Sequence, residues 1–277
     1  MPRPVSVAET DQTVTASIGI ARPEYDCDSI DTLMRRADIA LYSAKKNGRN
    51  GYSWFDNGME IELRSRNSLE SDIRAAIPNE EFVPYFEQQV DLQTGELTGF
   101  EMLARWVSPV RGLISPDEFI PVAEETGMIG DLSLNVIRKA MIEAKSWDQS
   151  LSLSVNISPV QLKDPWLAQK LVKLLVETGY PANRLEVEIT ESSLFKNLSL
   201  AQSIVGSLKN QGIQIALDDF GTGYASLNNL RLFPFDRLKI DRSLIAEVLN
   251  DDQNAAIVAA VVIAIPALGP SLGVAPS

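Results

Sequence analysis

The sequence predicts an α/β protein whose main body is a TIM-like (β/α) barrel, and two observations carry that prediction. Five short segments alternate apolar and polar residues and present a polar residue near their ends: Glu101 in Phe100–Met102, Asn156 in Leu151–Ile157, Glu188 in Leu185–Ile189, Asp218 after Ile213–Leu217, and Lys239 in Leu238–Asp241. The steps from Asn156 to Glu188, Asp218 and Lys239 are 32, 30 and 21 residues, about the length of one strand–helix unit. Barrels of this kind do their chemistry at the C-terminal ends of their strands. The polar residues at those ends are therefore the candidate site.

Taken in order, Thr13–Ala21 alternates as a strand, and Leu33–Lys46 carries Leu33, Ala37, Ala40, Leu41 and Ala44 on one helical stripe closed by Asn47-Gly48. Tyr52–Phe55 adds a short strand, so residues 1–56 form a small α+β segment. Lys45, Lys46 and Arg49 read as a solvated helix end favoured by the dipole. From Asp56 to Ile77 the residues Met59, Leu63, Arg66, Leu69, Ile73 and Ile77 keep helical spacing, which predicts a linker helix over 57–79 ended by Pro78-Asn79. The barrel region, 80–277, opens with a strand at Phe82–Leu92. A tight turn at Asp91–Glu96 leads into Leu97–Arg105, so the first two strands should form an antiparallel hairpin. Two helices follow between Ser115 and Asp148, one capped by Ser115 with Pro116 in its first turn, the other by Asp131. Trp106, Trp147 and Trp166 read as packing residues. Beyond Asp252 no charged residue occurs; Ala255–Ile265 continues a helix, and Leu268–Ala275 looks like the approach to a seventh strand. Six of eight strands are thus predicted.

Adjacent carboxylates such as Asp218-Asp219 raise each other's pKa unless a cation holds them. Asp and Gly also favour solvated turns; the recurrence of oxygen-bearing residues at successive strand ends is what points to a metal. The chain has no histidine, which excludes imidazole sites for Zn²⁺, Cu²⁺ or Fe²⁺. Hard oxygen donors suit Mg²⁺ or Mn²⁺, and such ions beside a lysine suit phosphate-ester hydrolysis. Gly221-Thr222-Gly223 is not read as a dinucleotide cradle: Ser226 stands where a third glycine would be, and the two aspartates would repel a pyrophosphate.

With 277 residues and 45% apolar content, the chain can bury one barrel-sized core and something smaller. Cys27 alone allows no internal disulfide, Met1–Glu9 lacks an apolar h-region, and the apolar tail is too short and too broken by proline to span a bilayer, which takes ~20 residues. A cytoplasmic protein with no membrane segment is the expectation. A net charge of −12 disfavours duplex nucleic acid, although metals can invert the local field for a small anion.

The order Glu101-Met102-Leu103, Asn156, Glu188-Ile189-Thr190-Glu191, Asp218-Asp219-Phe220-Gly221-Thr222-Gly223-Tyr224 and Leu238-Lys239-Ile240-Asp241 resembles the EAL-domain cyclic-di-GMP phosphodiesterases, from about Leu69 to about Asp252. The resemblance implies that Glu101, Asn156, Glu188 and Asp218 ligate a metal and that Asp219 joins a second one. It makes Lys239 the residue that steers water or steadies developing charge, and Glu191 the anchor of the Gly221–Leu227 loop. Arg105 would contact a substrate phosphate and Asp241 would lie near the guanine. Two positions depart from the family pattern: Met102 replaces the Ala of the name motif, and Glu87 replaces a base-binding Gln before a Pro. A carboxylate at 87 can accept from guanine N1–H but cannot donate to O6.

Residues 1–56 resemble the last quarter of a GGDEF cyclase domain without its catalytic motif. The family barrel has an antiparallel first strand. It also continues to a seventh strand bearing a catalytic Glu, an eighth strand and a late Gln, none of which this sequence reaches. The expectation is an open barrel with its sixth and first edges unpaired, impaired hydrolysis of cyclic-di-GMP to the linear dinucleotide, and a homodimer through the exposed edge of the EAL domain. The alternative is a degenerate EAL domain that binds cyclic-di-GMP or a partner protein. In either case the oxygens of Glu101, Asn156, Glu188 and Asp218 should converge within roughly 4 to 6 Å of a common point; a structure that puts them on different faces overturns the reading.

Overall fold

A computed structural model describes residues 5–7, 10–12, 15–23, 29–91, 93–194, 197–221, 232–241, 243 and 271–274. Two compact units divide the chain, residues 1–72 and 73–277.

In the first unit, β1 (Val5–Val7) and β2 (Thr10–Gln12) form an antiparallel ribbon. Strand β3 (Ile18–Ile20) pairs in parallel with β4 (Tyr52–Trp54), the two being connected by helix α1 (Ile30–Lys46). Thr13 and Val14 of the expected first strand lie outside the described residues. The helix starts three residues before the expected Leu33 because Ser29 caps it, its hydroxyl accepting from Thr32 N at 3.1 Å. Glycine is required at position 19, where a Cβ would run into the backbone of Ala37 and Leu41, so α1 lies directly on the strand. Helix α2 (Asn57–Ala76) forms within the span 57–79 where a helix is expected, and the division between the units falls within it.

The second unit is built on one sheet. Strand β5 (Phe82–Val90) runs antiparallel to β6 (Leu97–Ser108), whose far end folds back as β7 (Gly112–Ile114). Asp91 closes the β5–β6 turn, its Oδ1 accepting from Gln93 N at 2.9 Å and Thr94 N at 2.8 Å. Helices α3 (Pro116–Glu125) and α4 (Ile129–Ala144) lead to β8 (Ser152–Ile157). Helix α5 (Leu167–Thr178) then leads to β9 (Leu185–Thr190), and the short α6 (Glu191–Leu194) and α7 (Leu198–Asn210) to β10 (Gln214–Phe220). Strands β11 (Arg237–Ile240) and β12 (Ser271–Val274) complete the order β12-β11-β10-β9-β8-β6-β5, parallel except at β5.

Alternation along β8, β9 and β10 sends Leu153, Val155, Leu185, Val187, Ile213 and Ile215 to the helix-covered side. There they are fully buried along with Val136, Ile137, Ala140, Leu171, Val205 and Leu208 of the helices. Burial on both faces is usual for parallel strands, and it leaves the interior side to polar residues only where they satisfy one another.

Three expectations are corrected. Asp131 does not cap α4: the cap position is Met128, without a side-chain bond, and Asp131 sits in the first turn where its charge suits the dipole. Trp166 is 64% exposed instead of packed, because it stands at the start of α5, outside the helix's apolar stripe. Trp106 is buried and Trp147 packs on Phe86 and Phe100, as expected. The sixth strand's edge is not bare, since β12 adds a seventh strand in parallel register with Leu238 beside Leu272. Among the described residues no pairing joins β12 to β5, so the sheet is an incomplete barrel. Strand β7 was not anticipated, three residues being too few to show alternation. The expected helix at Ala255–Ile265 lies outside the described residues. No helix among the described residues is long and apolar enough to cross a membrane.

Strand β6 lies close against β8 at Gly99, where a Cβ would meet Ser152 Oγ and stand 2.6 Å from Ser152 O. Gly99→Ala should therefore destabilise the chain by roughly 1–3 kcal/mol through overpacking, read as a lower urea midpoint; an unchanged midpoint would show that β6 can retreat at no cost.

Candidate active site

The strand register collects side chains from five strands at one end of the interior. Asn156 on β8 stands beside Glu188 on β9, and Glu188 beside Ala216 on β10, two residues before Asp218. At the centre lies Lys239 of β11, its Nζ 2.7 Å from Glu101 Oε2, 2.7 Å from Glu188 Oε2 and 3.8 Å from Asp218 Oδ1. Glu101, Glu188 and Lys239 are at most 3% exposed and Asp218 is 8% exposed. Asn156 Nδ2 donates to Glu101 Oε1 at 2.7 Å, so both oxygens of Glu101 are engaged.

Strand β10 reaches this centre through an irregularity. Its pairing with β11 shifts between Leu217 and Phe220, and within the shift Asp219 adopts φ +57°, a left-handed conformation that non-glycine residues seldom take. In a regular strand, successive side chains point to opposite faces; a bulge breaks that rule and re-aims one of them. Here Asp219 feels the charges of Asp241, Lys239 and Glu101, so both aspartates bear on the same end of the sheet.

The remaining expected residues sit around this cluster. Glu191 is buried directly after β9, and its Oε2 accepts from Gly221 N at 3.5 Å; the rest of the Gly221–Leu227 loop it is expected to anchor lies outside the described residues. Glu87 is half-buried and is the cross-strand partner of Glu101. Arg105, four residues further along β6, stacks its guanidinium 5.5 Å over Tyr85 and donates to Ala104 O at 3.0 Å. The Asp241 carboxylate accepts from Ser243 N at 2.8 Å. Gln89, Ser154 and Glu186 belong to the same interior and were missed as site residues. Their signal was the two-residue spacing to Glu87, Asn156 and Glu188.

Electrostatics explain why the arrangement calls for another cation. Burial alone would strip the charge from Lys239, but Glu188, Asp218 and Glu101 outweigh it and hold the ammonium above the ordinary lysine range. One ammonium cannot balance three carboxylates. Burial pushes Glu188 up to about 8, Lys239 opposing and Glu101 and Asp218 adding to the rise. Burial also raises Asp218, with Lys239 opposing and Asp219 adding. Among the described residues Asp218 Oδ1 is buried with no hydrogen-bond partner, Lys239 Nζ standing 3.8 Å away. Among the described residues no three acidic side chains form a ready-made metal cage; the Lys239 ammonium takes the central position. The donor set nevertheless fits a hard divalent cation, being oxygen throughout, in excess of its one counter-charge, and holding among the described residues one buried oxygen that accepts no hydrogen bond.

Comparison with known proteins agrees with this picture. Residues 70–272 match the EAL domain model, and residues 1–51 match that of the diguanylate cyclase GGDEF domain. An uncharacterized signaling protein of Caulobacter vibrioides is 41% identical over 258 residues, covering 93% of this chain and 32% of that protein. The cyclic di-GMP phosphodiesterase PdeR of Escherichia coli is 36% identical over 258 residues, covering 92% of this chain and 39% of that one. The chain thus spans about a third of the length of these curated relatives. Among solved structures, the MucR phosphodiesterase in complex with c-di-GMP is 32% identical with a TM-score of 0.68, over 74% of this chain and 85% of that one.

The raised Glu188 fixes a sign for stability against pH. Between the ordinary value of 4.5 and about 8, the folded chain keeps a proton that the unfolded chain releases, so stability should fall as pH rises through this window. Asp91, Asp148 and Asp164 are shifted below the usual carboxylate value and titrate beneath it. Thermal unfolding in chelator should give a midpoint that drops from pH 5 to pH 8.5, and Mg²⁺ or Mn²⁺ should restore it most at the upper end. A flat profile would overturn this account of the charge imbalance.

Proposed function

The chain belongs to the EAL-domain family, and from that membership we propose that it is a divalent-metal-dependent phosphodiesterase opening cyclic-di-GMP to the linear dinucleotide. The observation that carries the proposal is the buried cluster of Glu101, Glu188 and Asp218 around Lys239 at the strand ends, with Asn156 engaged on Glu101. Relatives named as cyclic-di-GMP phosphodiesterases support the substrate. In this reading residues 1–56 are the end of a GGDEF domain, 57–79 a linker helix and 80–277 the EAL domain. The setting is bacterial second-messenger signalling in the cytoplasm.

Glu101, Asn156, Glu188 and Asp218 would hold one Mg²⁺ or Mn²⁺, and Asp219 would serve a second. Bound there, the ions supply Lewis acidity to the phosphate oxygens and to the attacking water. Lys239 brings N–H donors to the same centre, where it orients the water and steadies charge that builds on the phosphate. Glu191 secures the Gly221 end of the loop beside Asp219. Arg105 binds a substrate phosphate, its planar fork already oriented by stacking on Tyr85. Asp241 and Glu87 face the guanine, both as hydrogen-bond acceptors.

The test is chromatographic product analysis of cyclic-di-GMP incubated with the purified chain and Mg²⁺ or Mn²⁺. The expected result is linear dinucleotide, lost in chelator and reduced at least about 10²-fold in Glu188→Gln and Asp218→Asn. Calorimetric binding without product would replace the enzyme by a nucleotide-binding module, and no binding at tens of micromolar nucleotide would overturn both. We further propose a homodimer through the free edge of the sheet; light scattering that gives a monomer mass at high concentration overturns it.

A further inference from the structure

Beneath the carboxylate cluster lies a second buried polar tier. Glu186 stands two residues before Glu188 on β9, on the same side of the strand, and is 1% exposed. Its Oε1 accepts from Ser154 Oγ at 2.8 Å and pairs with Arg237 Nη1 at 3.4 Å, while its Oε2 is buried with no hydrogen-bond partner among the described residues. The Ser154 hydroxyl also reaches Gln89 Oε1 at 3.2 Å, and Gln89 Nε2 reaches Glu188 Oε1 at 3.5 Å. Three strands thus supply an unbroken path from Glu186 through Ser154 and Gln89 to the back oxygen of Glu188. A carboxylate out of water with one oxygen unpartnered is destabilising, which calls for a compensating role.

We infer that Glu186 is a positioning residue for Glu188, acting through Ser154 and Gln89. The inference rests on the reading of the cluster as a metal site. Glu186 can only accept, so it takes the larger share of the single Ser154 proton at 2.8 Å and fixes the hydroxyl's rotamer, leaving the weaker share of that proton to Gln89 Oε1 at 3.2 Å. That contact turns the carbonyl of the Gln89 amide to Ser154 and its NH₂ to Glu188. Glu188 Oε1 is then held from behind, and Oε2 stays aimed at the centre of the cluster. Were Glu186 merely the counter-ion of Arg237, its closest partner should be the guanidinium; the serine is closer by more than half an ångström. Partners that orient a metal ligand in this way typically govern metal affinity or activity by about 10–100-fold.

The test is calorimetric titration of the full 277-residue chain with Mn²⁺, beside steady-state hydrolysis of cyclic-di-GMP. Glu186→Gln keeps the size but can donate to Ser154 Oγ, so the hydroxyl is no longer fixed in the rotamer that places it beside Gln89. Mn²⁺ affinity should weaken about 10–100-fold in Glu186→Gln, Ser154→Ala and Gln89→Leu, and Glu186→Gln with Gln89→Leu should bind no worse than either alone. The rate constant kcat should fall with KM for the nucleotide unchanged. Ser154→Ala removes one oxygen only and keeps the inference exposed to refutation if Glu186→Gln does not fold. Variants that melt earlier but hold Mn²⁺ within twofold of the parent overturn it and leave the phosphodiesterase reading intact. A parent chain that binds no Mn²⁺ overturns both.

Discussion

One buried ammonium facing three buried carboxylates is the constraint on which the rest of this structure depends. Lys239 is too deep to be charged on its own account, and burial likewise works against the charge on Glu188 and Asp218, which the ammonium opposes. Each makes the others tenable, and the sum is still negative. That residue of charge is what a hard divalent cation would neutralise, and it adds to the burial that holds Glu188 above the ordinary carboxylate range. Stability and function draw here on the same imbalance.

The backbone produces the cluster by ordinary means. Parallel pairing of β8, β9 and β10 steps the polar side chains around the interior in register, while the apolar residues between them go under the helices. The bulge at Asp218 and Asp219 departs from regularity, and it does so where two successive carboxylates have to serve one centre. Strain of that kind is retained at sites of chemistry because the surrounding strands over-determine it.

Much of this was legible before any coordinates. The period of two in Leu185–Ile189 and Ile213–Asp218 told which residues share the interior, and the spacing of the units told that the strand ends meet. The Asp-Gly-rich turn after Phe82–Val90 told that β5 runs backwards. What the sequence could not show follows from tertiary geometry. Asp131 looks like a cap because Asp favours caps, but Gly127 and Met128 already carry the chain into α4, and no side-chain bond is made. Trp166 looks like core because tryptophan favours the core, yet it stands at the start of α5 and faces solvent. Leu268–Ala275 reads as the approach to a seventh strand, but its glycines and short alternation do not show that Ser271–Val274 already pairs with β11. Gln89, Ser154 and Glu186 carry the right period, but only distances between strands reveal that they touch.

The reach of the central ion pairs along the chain also bears on how the molecule comes together. Glu87 and Glu101 are brought abreast by a hairpin and can pair while the chain is short, whereas the contact of Lys239 with Glu101 spans 138 residues and that with Glu188 spans 51. During vectorial synthesis the acidic residues of β6, β9 and β10 emerge first, and Lys239, the ammonium that faces them, arrives later, on β11. Contacts so distant form late, after the loop entropy between them has been overcome. The acidic half of the interior must therefore be tolerated without its lysine for as long as the intervening helices take to dock. In that interval, protons and dissolved divalent ions are the counter-charges at hand, so the ionic composition around the ribosome bears on the yield of folded chain as well as on its later chemistry.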